Sequence, residues 1–187
     1  MVLETHEPKL KGYTVEEFER FVDLPENADK LFEYIGEEII EVPSNPYSSQ
    51  IASIISGFIF MFLRQNASGH LTGEAGGFMV SGERYAPDVA YISKEKQPEL
   101  ARRGYNPQPP DLVFEVMSPT DYQGRTTVKV SNYLAAGTLV VLVFPEDKEL
   151  TVHRSGQPVQ KLGMDDSFEA PNILPGFSLA VKDIFAE

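Results

Sequence analysis

The sequence predicts an α/β or α+β domain built on a mixed β-sheet, and three observations carry that prediction. Along the chain, helical and strand-like hydrophobic periods succeed each other as helix, hairpin, helix, strands, helix, strand, hairpin. The run LVVLVF at residues 139–144 is continuously apolar, as in a strand covered on both faces. With 187 residues, 42% of them hydrophobic, and no repeat, linker or low-complexity tract, residues 1–187 read as a single domain with one substantial core.

Thr14 opens TVEE, a capping box with Glu17 at the third position, and Phe18 and Val22 follow at helical spacing. KLFEYIGEEIIEV places two β-prone runs around Gly36 and reads as a hairpin with Glu33 in its first strand. Asn45 opens a long helix over about residues 46–66, with Ile51, Ile54, Ile55, Phe58, Met61 and Phe62 recurring at three and four. HLTGEAGGFMVSGE is broken by glycines and predicts a strand pair with a bulge or bend. APDVAYIS and DLVFEVM follow as strands. KEKQPELARRGYNPQPP, between them, is polar and proline-rich and clusters Lys94, Lys96, Arg102 and Arg103. It reads either as a solvated loop with a short helix or as a substrate-binding loop. Residues 120–136 predict a helix with Thr120 and Gln123 as a second capping box and Gly137 as its stop. EDKELTVHRSGQPVQKL predicts an edge hairpin, and LPGFSLAVKDIFAE a short closing helix.

Composition excludes several classes of chemistry. Without cysteine there is no disulfide, thiolate nucleophile or cysteine-held metal, which fits a reducing, cytoplasmic setting. His6, His70 and His153 lack metal-ligand spacing. A net charge of −12 repels nucleic acid at long range, but carboxylates that first take up a divalent cation reverse the local field. The N-terminal MVLETHEPKLKGY has no apolar segment of the signal-peptide kind. The most apolar stretch, residues 51–63, is too short to span a bilayer and reads as a core-packed helix, so no membrane partner is expected.

Strand alternation singles out Glu115. In DLVFEVM, Leu112, Phe114 and Val116 point one way, and Asp111, Val113, Glu115 and Met117 the other. A carboxylate among apolar neighbours needs a partner. Either a structural Lys or Arg or a wet sheet face satisfies it, or a metal ion does. Asp88, after Pro87, is equally consistent with turn chemistry. Together, one carboxylate from each of two neighbouring strands suits a divalent ion, completed by water and a backbone carbonyl. Lys129, two turns into the next helix, reads as a surface charge or as a cation reaching that site to stabilise phosphate charge. The spacing predicts that it shares a face with Arg125, Asn132 and Tyr133, with Val128 and Leu134 toward the core.

At FEYIGEEIIEVP, the long helix, APDVAYIS, PDLVFEVMSPT and the helix with Lys129, Tyr133 and Ala136-Gly137, the chain resembles the Uma-two restriction endonucleases of the PD-(D/E)XK nuclease superfamily. The likeness runs from about residue 14 to 143. It implies a restriction-endonuclease-like core, a central mixed sheet flanked by helices with N-terminal and C-terminal hairpins. It also implies a Mg2+- or Mn2+-dependent endonuclease acting on DNA. Asp88 and Glu115 match the family's metal-binding acids, with the Val116 backbone carbonyl as a further ligand. Glu33 matches an early acid that joins such sites. Met117 stands where the superfamily usually has its lysine, and Lys129 matches the position to which that lysine has moved. Tyr47-Ser48-Ser49-Gln50 and LVVLVFP depart from the His and the Tyr-Trp and Val-Asp-Pro patterns of relatives. A catalytically inactive module of the same fold, used for nucleic-acid or protein binding, is the alternative. Pairing through the hairpin at 146–161 would give a homodimer.

Overall fold

A computed structural model describes residues 12–42, 45–118 and 123–185. Helix α1 (Val15–Val22) starts at the predicted capping box: the Glu17 N–H donates to Thr14 Oγ1 at 3.2 Å, and the Thr14 N–H donates to Glu17 Oε2 at 2.8 Å. Strands β1 (Phe32–Ile35) and β2 (Glu38–Glu41) form the N-terminal hairpin. Gly36 and Glu37 turn it with φ of +57° and +68°, both in the left-handed region that a two-residue type I′ turn requires. Glu33 lies opposite Ile40 and Ile35 opposite Glu38, so these four side chains share one face of the hairpin.

Helix α2 (Pro46–Gln65) is capped by Asn45 and buries Ile51, Ala52, Ile55 and Ile59. Its Phe58, Phe60 and Met61 are exposed. Strands β3 (Gly69–Gly73), β4 (Phe78–Val80), β5 (Glu83–Tyr85), β6 (Val89–Ser93) and β7 (Leu112–Val116) follow. Helix α3 (Gln123–Ala135) then crosses over to β8 (Leu139–Phe144). Gly137, at φ +82°, ends α3, with its N–H donating to the Leu134 carbonyl and that of Thr138 to the Tyr133 carbonyl. The hairpin β9 (Glu149–His153) and β10 (Gln160–Leu162) is as predicted. A ribbon of β11 (Ser167–Glu169) and β12 (Ser178–Ala180) leads into α4 (Val181–Ile184).

The central sheet has the order β10-β9-β8-β7-β6-β3. It is mixed, because β7 and β8 run parallel while its other pairs are antiparallel. A second sheet, β2-β1-β5-β4, is antiparallel throughout. The central mixed sheet flanked by helices is the architecture expected. One core lies between that sheet and α2 and α4, and takes Leu112, Phe114 and Val116 of β7. The other takes Val113 and Val140 with Tyr133 of α3 and Ile35, Val80 and Tyr85 of the second sheet. The face of β7 that carries Glu115 therefore looks toward α3 and the second sheet.

Three expectations are corrected. The two halves of the glycine-broken tract do not pair with each other: β3 joins β6 in the central sheet, while β4 joins β5 in the other. The glycines permit the crossing, since a Cβ at Gly76 would come within 2.8 Å of Thr72 and one at Gly77 within 2.4 Å of the Tyr105 ring. The loop at 94–110 forms no helix; a reciprocal Gln97–Asn106 amide pair at 2.7 Å and the Tyr105 hydroxyl on the Phe32 carbonyl fix it instead. On α3 the faces differ from the spacing argument: Val128 is exposed, whereas Lys129, Val130 and Tyr133 turn inward. Thr120 of the second predicted cap lies outside the described residues, as does the segment at 1–11.

Candidate functional site

The N-terminal end of β6 meets the C-terminal end of β7, because Val89 pairs with Phe114. Asp88, one residue before β6, therefore sits beside Val116, and the Val116 N–H donates to Asp88 Oδ2 at 2.6 Å. Glu115 projects from the same end of β7 toward α3. The hairpin face brings Glu33 from the opposite side. Lys129 enters between them: its Nζ lies 2.9 Å from Glu33 Oε1 and 3.0 Å from Glu115 Oε1. Glu33, Asp88, Glu115, Val116 and Lys129 all line one cleft of about 530 Å³.

Each carboxylate is held through one oxygen. Glu33 Oε1 also accepts the Ala86 N–H at 2.8 Å. Glu115 Oε1 accepts the Tyr133 hydroxyl at 3.2 Å as well as Lys129. Asp88 uses Oδ2 for Val116. The described bonds thus spare Asp88 Oδ1 and Glu115 Oε2 for the cleft. Lys129 is further steadied by the Tyr85 ring, whose centroid lies 5.6 Å from Nζ. Tyr85 in turn bonds Glu83 and accepts Asn132 Nδ2 at 2.7 Å.

Burial sets the electrostatics. It raises Asp88 to about 6, against the smaller opposing effects of the Val116 N–H and Lys129. It raises Glu115 too, and the Lys129 charge pulls back only part of that shift. For Lys129, burial works toward losing the proton. The charges of Glu115 and Glu33 outweigh it and hold the amine well above its ordinary range. The two flanking acids thus favour the ammonium form of the lysine. Tyr133 is pushed up by burial and by Glu115, so it stays a hydroxyl donor.

Several cleft residues had no sequence signal. Glu74 lines the cleft from the glycine-rich turn after β3, and its charge bears on Asp88. Nothing in GEAGG distinguishes a site acid from a turn acid. Tyr133 stands four residues after Lys129, which puts both on one helix face, but that spacing is shared by many core tyrosines. Tyr85 reaches the lysine only through tertiary packing, and Asn132 bonds Tyr85 in turn.

The family model described as "Putative restriction endonuclease" (Uma2) matches residues 15–182. Among solved structures, the chain is similar to the crystal structure of "a putative nuclease belonging to DUF820" from Anabaena variabilis, at 23% identity. The match covers 92% of this chain and 97% of that one, with a TM-score of 0.78. At that identity the likeness establishes the shared fold. No curated protein matches.

Proposed function

We propose, from the premise that the chain belongs to the Uma2 family, that its acidic cleft hydrolyses DNA phosphodiester bonds with a divalent cation, Mg2+ or Mn2+. Among the described residues there is no cluster of three or more His, Cys, Asp or Glu side chains placed to hold a metal. A two-carboxylate site does not need one. Asp88 and Glu115 offer hard oxygen donors, each steadied through its other oxygen, and the Val116 carbonyl adds a third. The donor set fits a hard cation and no softer metal. Burial disfavours the negative charge on both acids, which a cation would relieve. Bound there, such an ion lowers the pKa of water and neutralises charge on a phosphate.

The chain's own residues do the rest. Lys129, fixed as an ammonium, donates to the phosphate oxygens that gain charge and orients the attacking water. Glu33 holds Lys129 in place through the 2.9 Å contact and would keep it charged with Glu115 engaged by a cation. Tyr133 orients Glu115. The observation that carries this reading is the lysine seated between two acids in a cleft that Asp88 also lines.

Cleavage of plasmid, single-stranded and branched DNA with Mg2+ or Mn2+ tests it. Wild type cuts and Glu115→Ala does not; equal cutting by both refutes the assignment. One observation favours the inactive-module reading: Lys129 already neutralises part of the acidic charge without any ion. Metal and DNA binding without cleavage by wild type would select that reading.

A further inference from the structure

Helix α2 turns one face into the core through Ile51, Ala52, Ile55 and Ile59. The opposite face, at 3.6 residues per turn, carries Gln50, Ser53, Gly57, Phe60, Met61 and Arg64, all of them exposed. From residue 46 to 63 the sequence has no Asp, Glu, Lys or Arg, although 24% of the chain is charged. A helix face that meets water over several turns ordinarily carries charge. Depletion of charge, with aromatic residues, Met and Arg in its place, is the composition of an interface core.

The face is also shaped to fit itself. Gly57 is a notch, since a Cβ there would meet nothing within 4 Å. Two helices approach most closely where neither carries a side chain. A twofold axis through Gly57, with the helices antiparallel, sets each residue before Gly57 against the one equally far after it on the other copy. Ser53 then faces Met61, Ile54 faces Phe60, and Gln50 faces Arg64. Each large side chain meets a smaller one, and the guanidinium meets an amide oxygen. A parallel pair would set Phe60 on Phe60 and Arg64 on Arg64. The antiparallel pair brings no acid onto the shared helix face, which a chain of net charge −12 requires of any contact with its own copy.

The area suffices. Tyr47, Phe58, Phe60 and Met61 are 49%, 40%, 54% and 62% exposed. At about 200 Å² per side chain, these four offer about 400 Å² per copy and about 800 Å² per pair. The small and polar residues between them carry the total past the roughly 1,000 Å² that a specific interface needs. A lipid surface suits the face less well. Helices that lie on membranes line their polar side with Lys and Arg, and α2 has Arg64 alone.

We propose that the exposed face of α2 is the contact between two copies of this chain, paired antiparallel about Gly57. The inference goes beyond the nuclease reading and does not depend on it. Asn45, Pro46, Ser48 and Ser49, at the start of α2, line the cleft. Ser48 lies about 13 Å along the helix from Gly57, so the pair carries its two clefts at opposite ends, about 27 Å apart along the helices.

The chain has no cysteine of its own, so single introduced thiols report the pairing. Light scattering and sedimentation equilibrium of the full chain are expected to give twice the mass of one chain. Met61→Glu sets two carboxylates into the contact and is expected to weaken dimerisation about 100-fold or more. The exposure of Met61 leaves the fold intact, which thermal melts verify. Under mild oxidation Gly57→Cys crosslinks to its twin, because the axis brings the two positions within disulfide reach. Phe60→Cys does not, since its twin lies about 9 Å away along the helix alone. A monomer at every concentration, a dimer that Met61→Glu leaves unchanged, or a Gly57→Cys that crosslinks no faster than Phe60→Cys overturns the inference. A monomeric wild type that floats with phosphatidylcholine–phosphatidylglycerol vesicles also overturns it and makes the face a lipid contact.

Discussion

Replacing Lys129 with Met tests the centre of the cleft directly. The methionine keeps the length and apolar stem but removes the ammonium from between Glu33 and Glu115. In the native protein the Nζ makes contacts of 2.9 and 3.0 Å, and all three side chains are 14% exposed or less. At an effective dielectric of about 20, each contact is worth roughly 5–6 kcal/mol before desolvation. Desolvation of the ammonium offsets most of that. What the variant suffers is two carboxylates left buried without a cation, about 3–5 kcal/mol at pH 8. For a chain of this size, that lowers Tm by about 6–20 °C. Acid relieves the loss, because a protonated carboxyl needs no cation. The assay is urea unfolding followed by circular dichroism in EDTA, at pH 8 and pH 5. A loss below about 1 kcal/mol at pH 8, or a loss of the same size at pH 5, would refute the electrostatic account of the cleft.

Glu115→Gln should behave oppositely. Lys129 keeps Glu33, and the amide oxygen still accepts from Tyr133, so the metal-free fold stays within about 1 kcal/mol of wild type, while Mn2+ affinity by calorimetry falls at least about tenfold. A stability loss of about 3 kcal/mol or more would instead make Glu115 a structural partner of the lysine. Metal-free wild type should lose stability as pH rises. Asp88 is raised from 3.8 to about 6, so between those values the folded state holds a proton that the unfolded state has released. That contribution is fully present below pH 3.8 and gone once pH exceeds about 6; it is worth about 3 kcal/mol. Asp88→Asn should flatten that slope in denaturant titrations from pH 4 to 7; an unchanged slope refutes the assignment.

The sequence carried further into the fold than into the site. The capping box at Thr14, the hairpin at Gly36, the buried strand 139–144 and the edge hairpin 149–162 are all local signals, written in period and turn chemistry. Glu115 announced itself by the same alternation that puts Val113 and Met117 beside it. The tract around Gly76 and Gly77 misled because glycines mark a bend without saying which sheet the next strand joins. Periodicity misassigned Val128 because the apolar face of a helix and the face it buries need not coincide: Val128 is solvated while the charged Lys129 goes inward. Its two acidic partners, 96 and 14 positions away in sequence, make that burial tolerable. Glu74 and Tyr85 depend on how two sheets and a helix meet, and no window of sequence contains that.

The lysine's place on a helix rather than on β7 affects how the chain avoids misfolding. Were both charges on β7, at positions 115 and 117, a one-residue slip of that strand would carry them together to the other face. With Lys129 on α3, a slip moves Glu115 alone into the apolar side that receives Phe114 and Val116, and strands the ammonium. Each misregistered chain would then bury an unmatched charge on either side of the sheet. The ion pair thus acts as a register check on the central strand, rejecting the nearest wrong alignment whether or not substrate is ever bound.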